Sequence, residues 1–79
     1  EYHSFVDYKT ILQEYISKIK LGEIEYIVLD STGPSHSKTF TSAVLIDEKQ
    51  YGSGTSTTKK ESEQISAKQA LEKLGYKDI

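Results

Sequence analysis

The 79-residue sequence has no cysteine, arginine, tryptophan or methionine, and only one proline. Without cysteine there is no disulfide framework and no thiolate metal site. Neither of the two histidines, His3 and His36, has clustered carboxylates beside it in sequence to complete a metal site. Long apolar runs are also missing. The longest, YIVL at 26–29 and AVLI at 43–46, have four residues, against the roughly 20 needed to cross a bilayer. The opening segment EYHSFVDYKT is polar and has no signal-peptide pattern. A soluble, cytoplasmic chain without a membrane partner is therefore expected. The length allows one small domain, and a domain of this size buries only about 60% of its unfolded surface. That leaves little room for an enzyme with its own substrate cleft. A binding module belonging to a longer protein is the better reading.

Charge is nearly balanced overall, at −2, which taken alone argues against nucleic acid. The distribution is uneven, however. Residues 1–30 hold three lysines and six acids, whereas residues 31–79 hold seven lysines and six acids. A local basic cluster can make an electrostatic footprint even within a weakly acidic domain.

Residues 1–6 read as a frayed end or linker. Tyr8, Ile11, Leu12, Tyr15, Ile16 and Ile19 then recur at helical spacing and predict an amphipathic helix over about 8–20. Asp7 is its N-cap and Gly22 its stop. EYIVLDS (25–31) predicts a strand, and Gly33 and Pro34 break it. TFTSAVLID (39–47) predicts a second strand, DEKQ a tight connection, and YGSGT (51–55) a third. The glycines of the third strand either weaken it or let something approach closely. Thr58-Lys59-Lys60-Glu61 forms a capping box opening a second helix that runs to about Leu74, with Gly75 as its stop. Ser62, Ser66, Ala67 and Ala70 give that helix a face of small residues, closed by Leu71 and Leu74. The two serine hydroxyls are expected to bond back to the carbonyls four residues earlier. Ile65 falls on the outer side as a lone exposed apolar residue. The expected fold class is α+β: an αβββα order, with a three-stranded antiparallel sheet and both helices on one face.

This order, together with DYKTILQEYI, GPSHSKTF, and YGSGT followed by TTKKESEQ, resembles a double-stranded RNA-binding domain. It is most similar to the one at the C-terminus of bacterial ribonuclease III. The resemblance covers residues 7–75, leaving 1–6 as linker and 76–79 as a C-terminal tail. A-form RNA hides its bases in a deep, narrow major groove. A binder therefore uses the shallow minor groove with its 2′-hydroxyls and the phosphates between successive minor grooves, over about 16 base pairs.

Three contact patches follow from the resemblance. The first is the outer row of helix 1, Thr10, Gln13, Glu14 and Ser17, which the residues alone would make a solvated helix face. Gln13 can donate and accept, which suits 2′-hydroxyls and base edges. Ser17 stands where ribonuclease III relatives often carry a longer glutamine. The second is the 33–38 turn, with Pro34, His36 and Lys38; it would otherwise be an ordinary hairpin turn. The third is Lys59 and Lys60 at the start of helix 2, where free amides and the helix dipole favour an anion. Thr55 and Thr57 occupy places that are basic in many relatives, so fewer ionic contacts are expected.

The resemblance implies a domain with no catalytic residue, no metal and no cofactor of its own. Magnesium and the cleavage of duplex RNA would belong to a separate catalytic domain, through which the parent enzyme would be homodimeric. Double-stranded RNA is the expected partner, and DNA is not. A protein-interaction or dimerisation module on the same fold is the alternative. It is favoured by the net −2, the missing arginine and the threonines at 55 and 57.

Overall fold

The computed structural model describes residues 6–77. His3 and residues 1–5 of the expected frayed end lie outside them. The elements run α1 (Tyr8–Ile19), β1 (Ile24–Thr32), β2 (Thr39–Ile46), β3 (Lys49–Ser56) and α2 (Lys59–Lys73). The strands form one antiparallel sheet in the order β1-β2-β3, with β2 central. Leu12 and Ile16 of α1, Val44 and Ile46 of β2, and Ala67, Ala70 and Leu71 of α2 form one buried cluster. Both helices therefore cover the same face of the sheet, as the αβββα reading requires.

Packing of α2 on β3 depends on small residues from both sides. Ser62, Ser66, Ala67 and Ala70 are fully buried, so the helix backbone comes down close to the strand. It meets Gly52 and Gly54 there. A Cβ on Gly52 would collide with the Ser66 carbonyl oxygen and lie 2.9 Å from the Ala70 amide nitrogen. A Cβ on Gly54 would lie 2.7 Å from the Ser62 carbonyl oxygen and 2.5 Å from the Ile65 Cβ. Of the two sequence readings of these glycines, close approach is the one observed. Ile65 is 39% exposed, but the base of its side chain sits on Gly54 rather than in open solvent.

The buried serines are satisfied differently from expectation. Ser62 Oγ donates to the Lys59 carbonyl at 2.7 Å and Ser66 Oγ to the Glu63 carbonyl at 2.8 Å. These carbonyls are three residues back, not four. Since Ser62 has spent its only proton, Ser42 donates in the 2.6 Å contact between the two hydroxyls. That contact ties the centre of β2 to the first turns of α2.

Element ends also differ from the sequence reading. Helix α1 stops at Ile19 because Lys20, not Gly22, takes the left-handed cap conformation (φ 55°). Gly22 serves another purpose: its φ is 146°, and a Cβ there would lie 2.6 Å from that of Asp47. Ile19, read as the last residue of the apolar stripe, is 43% exposed. Only Asp47 and Glu48 of the DEKQ connection form the turn, both at positive φ, as a two-residue type I′ hairpin demands. Lys49 and Gln50 pair with Ile46 and Leu45 and belong to β3. A tight Schellman closure ends α2: Gly75 (φ 82°) donates to the Glu72 carbonyl and Tyr76 to that of Leu71. Tyr76, placed in the tail by the sequence reading, packs edge-on to Tyr15 with ring centroids 5.0 Å apart.

Candidate nucleic-acid interface

Helix α1 turns Leu12 and Ile16 inward and leaves Thr10, Gln13, Glu14 and Ser17 exposed on its outer row. Its first turn is held by the ionised Asp7 carboxylate, which accepts from the Thr10 amide at 3.2 Å and the Thr10 hydroxyl at 2.8 Å. The Thr10 hydroxyl has therefore donated its proton within the cap, leaving only acceptor capacity for an outside partner. The Gln64 side-chain amide donates to the same carboxylate at 2.8 Å. These bonds, that from Gln64 foremost, hold the Asp7 carboxyl at about 2, below its ordinary 3.8. Beside it, Lys9 Nζ makes a 2.6 Å ion pair with Glu63 and lies 4.7 Å from the centre of the Tyr26 ring. Burial, then the charges of Glu63 and Asp7, push the Tyr26 hydroxyl well above its usual range, so that ring stays neutral.

The β1–β2 connection is a closed turn. Thr32 and Thr39 form the last strand pair, with their hydroxyls 3.0 Å apart. Gly33 takes φ 97°, and a Cβ there would lie 2.6 Å from the Ser37 carbonyl oxygen. The Ser37 amide donates to the Pro34 carbonyl at 2.9 Å. This β-turn leaves His36 at its tip, and Pro34, His36 and Lys38 are all exposed. It stands at the end of the β1–β2 ladder.

The start of α2 is the third exposed patch. Thr58 accepts from the Glu61 amide at 3.0 Å, a cap worth about 1 kcal/mol. The second half of the expected capping box is replaced: the Glu61 carboxylate takes the Ser56 hydroxyl at 2.6 Å. Lys59 and Lys60 occupy the first two helical positions, both exposed. Among the described residues, neither ammonium group has a carboxylate within 4.0 Å. Thr57 is exposed beside them, while the Thr55 hydroxyl is bonded across the sheet to Thr41 at 2.9 Å.

All nine residues singled out from the sequence are thus on the surface, in three groups on three elements. The molecule that carries them is a flat body of 41 × 31 × 15 Å. Sequence reasoning missed the polar contact between the helices. Gln64 and Glu63 lie 54 to 57 residues from their partners Asp7, Tyr8 and Lys9, and no local spacing marks such a pairing.

The comparisons with known proteins agree with this fold. The family model for the double-stranded RNA binding motif matches residues 8–74. Ribonuclease 3 of Oceanobacillus iheyensis is 48% identical over 69 residues, 87% of this chain and 30% of that protein. Ribonuclease 3 of Listeria welshimeri is 40% identical over 77 residues, 98% of this chain and 34% of that protein. The chain therefore spans about a third of the length of these relatives. A solved structure of Arabidopsis HYL1, studied for its part in miRNA processing, has a TM-score of 0.75 at 38% identity, covering 86% of this chain and 96% of that one. The second double-stranded RNA-binding domain of DRB4 gives 0.65 at 38% identity, covering 90% and 99%. With the family model spanning both helices and all three strands, this chain belongs to the double-stranded RNA-binding domain family.

Proposed function

We propose that this domain binds double-stranded RNA by its A-form shape, through the α1 row, the 33–38 turn and the Lys59–Lys60 pair. The observation that carries the reading is the placement of these patches: three exposed groups on separate elements of one rigid body. On an A-form duplex the first two would meet successive minor grooves. Gln13, Glu14 and Ser17 can exchange hydrogen bonds with 2′-hydroxyls, with Thr10 accepting only. The Pro34–Ser37 turn would present His36 to the second groove, and Lys38 would favour its phosphates. Lys59 and Lys60 would meet phosphates between the grooves, assisted by the free amides of the first α2 turn.

The ribonuclease 3 relatives support a wider reading, in which this is the RNA-binding part of such an enzyme. Cleavage, magnesium and homodimerisation would then lie in a separate catalytic domain, and the enzyme would act in the cytoplasm. Among the described residues no group of three or more His, Asp or Glu side chains could hold a metal ion. The domain by itself is proposed to bind without cutting and to need no cofactor.

The test is a titration with duplex RNA of about 20 base pairs, set against duplex DNA of the same sequence and against single-stranded RNA. Duplex RNA should bind well ahead of both and remain uncut with or without magnesium. Equal affinity for the two duplexes would remove the 2′-hydroxyl assignment, and absence of binding would favour a protein-interaction role.

A further inference from the structure

We infer that Gln64 is a positioning residue for duplex recognition, clamping α1 to α2 so that the α1 row and the Lys59–Lys60 pair reach one duplex together. The inference rests on the RNA-binding reading above. The two patches lie on different helices, and the apolar contact between those helices is non-directional. Burial of Leu12 and Ile16 rewards contact, and their packing limits rotation and axial register. Directional bonds narrow both further. Gln64 Oε1 accepts from the Tyr8 amide at 2.7 Å, and its Nε2 donates to Asp7 at 2.8 Å. The first bond satisfies one of the unpaired amides at the start of α1. The second engages the carboxylate that caps that same turn. Lys9–Glu63, one residue along on each helix, makes a third bond in the same place.

Carboxamide chemistry suits this position because it offers one acceptor and two donors on a short planar group. Reversed, the amide would aim its NH2 at the Tyr8 amide and its oxygen at the carboxylate, and both bonds would be lost. A glutamate would set a second negative charge against Asp7. The clamp also sits between the patches. Gln64 is one helical turn beyond Lys60, and Asp7 binds Thr10, the first residue of the α1 row. Loosening the clamp should therefore leave each patch intact but relax their spacing.

The experiment compares duplex RNAs of about 20 and about 10 base pairs; only the longer exceeds the roughly 16 base pairs that engage every patch at once. Parent, Gln64→Ala and Gln64→Glu are titrated with both, and urea unfolding confirms that each is folded. Gln64→Ala should weaken the long duplex roughly five- to tenfold, the scale of one or two lost hydrogen bonds. The short duplex should stay within about twofold, since each patch is unchanged. Gln64→Glu should lose more on the long duplex. An equal loss on both duplexes or no loss on the long one would overturn the clamp. Failure of the parent to bind the long duplex would instead overturn the RNA reading itself.

Discussion

The two helices begin with opposite electrostatics. At the start of α1 an ionised aspartate answers the positive end of the helix dipole, and Gln64 and Thr10 saturate that carboxylate. At the start of α2 the cap is a neutral threonine; two exposed lysines add to the positive pole, and the Glu61 carboxylate of the same turn, bonded to the Ser56 hydroxyl, offsets one of them. Each cation near an exposed helix N-terminus costs about 0.3–1 kcal/mol. Helix α1 is therefore finished within the protein, whereas α2 is left unfinished in a way that an outside anion would complete. Their supports differ as well. Backbone packed onto glycine holds α2 to the sheet, while side-chain bonds fix the first turn of α1 against α2. The helix with the lysine-bearing pole is the one seated on the β3 backbone.

The largest effect should come from disturbing that seat. In Gly52→Ala the new methyl group meets the Ser66 carbonyl oxygen and the Ala70 nitrogen. Both are backbone atoms that cannot rotate away, so the whole helix must lift. Overpacking of this kind costs about 1–3 kcal/mol and sometimes more. Because the strain falls on helix backbone, a loss of about 3 kcal/mol is expected. Urea unfolding by circular dichroism would measure it. A midpoint unchanged from the parent would show that α2 is not seated on the β3 backbone.

The same contrast explains what could be read before any coordinates. Elements with a strong period were legible: α1 from its apolar stripe, the core of β2 from AVLI, and the buried face of α2 from its serines and alanines. Ends fixed by backbone conformation were not. Asp47 and Glu48 turn at positive φ without the Asn-Gly pair that would announce it, so Lys49 and Gln50 read as loop. Lys20 takes the left-handed cap, although a glycine two residues later is the obvious choice. For the proposed interface, the family resemblance singled out Gln13, His36, Lys59 and Lys60, which lie in contiguous motifs, and the structure leaves all four exposed. The Gln64–Asp7 clamp was not, since its partners sit at opposite ends of the chain.

A salt titration addresses the open pole directly. If Lys59 and Lys60 meet phosphates, each neutralised phosphate releases counterions. Log affinity then falls with log salt by roughly 0.7–0.9 per contact, a value taken from DNA. Lys59→Ala with Lys60→Ala should flatten the slope by about 1–2 units and leave the fold intact. Thr58→Asp is the sharper variant, because it gives α2 the kind of cap that α1 has. Aspartate caps as well as threonine, so stability should hold, while binding weakens at low salt. Gln13→Ala should lower affinity with little change of slope. A double-lysine variant that keeps the parent's slope would remove the phosphate assignment.

The smallest effect probes the finished pole of α1. The Asp7 carboxyl titrates near 2 in the folded protein against an ordinary 3.8. Its folded value is depressed, so the stability it contributes is fully present above the unfolded value and disappears as pH falls through the folded one. Asp7→Asn removes that titration while retaining a side-chain oxygen for the Thr10 amide. The parent should therefore melt above the variant at pH 7, by a margin that stays constant down to about pH 4 and closes between about 3.8 and 2. Melting curves of both proteins across that range would show it. The margin should be modest, because the carboxylate is fully exposed and water competes for every bond it makes. A margin that stayed constant down to pH 2 would mean that Asp7 holds the first turn of α1 by shape alone. The contrast between the two poles would then reduce to the lysines of α2.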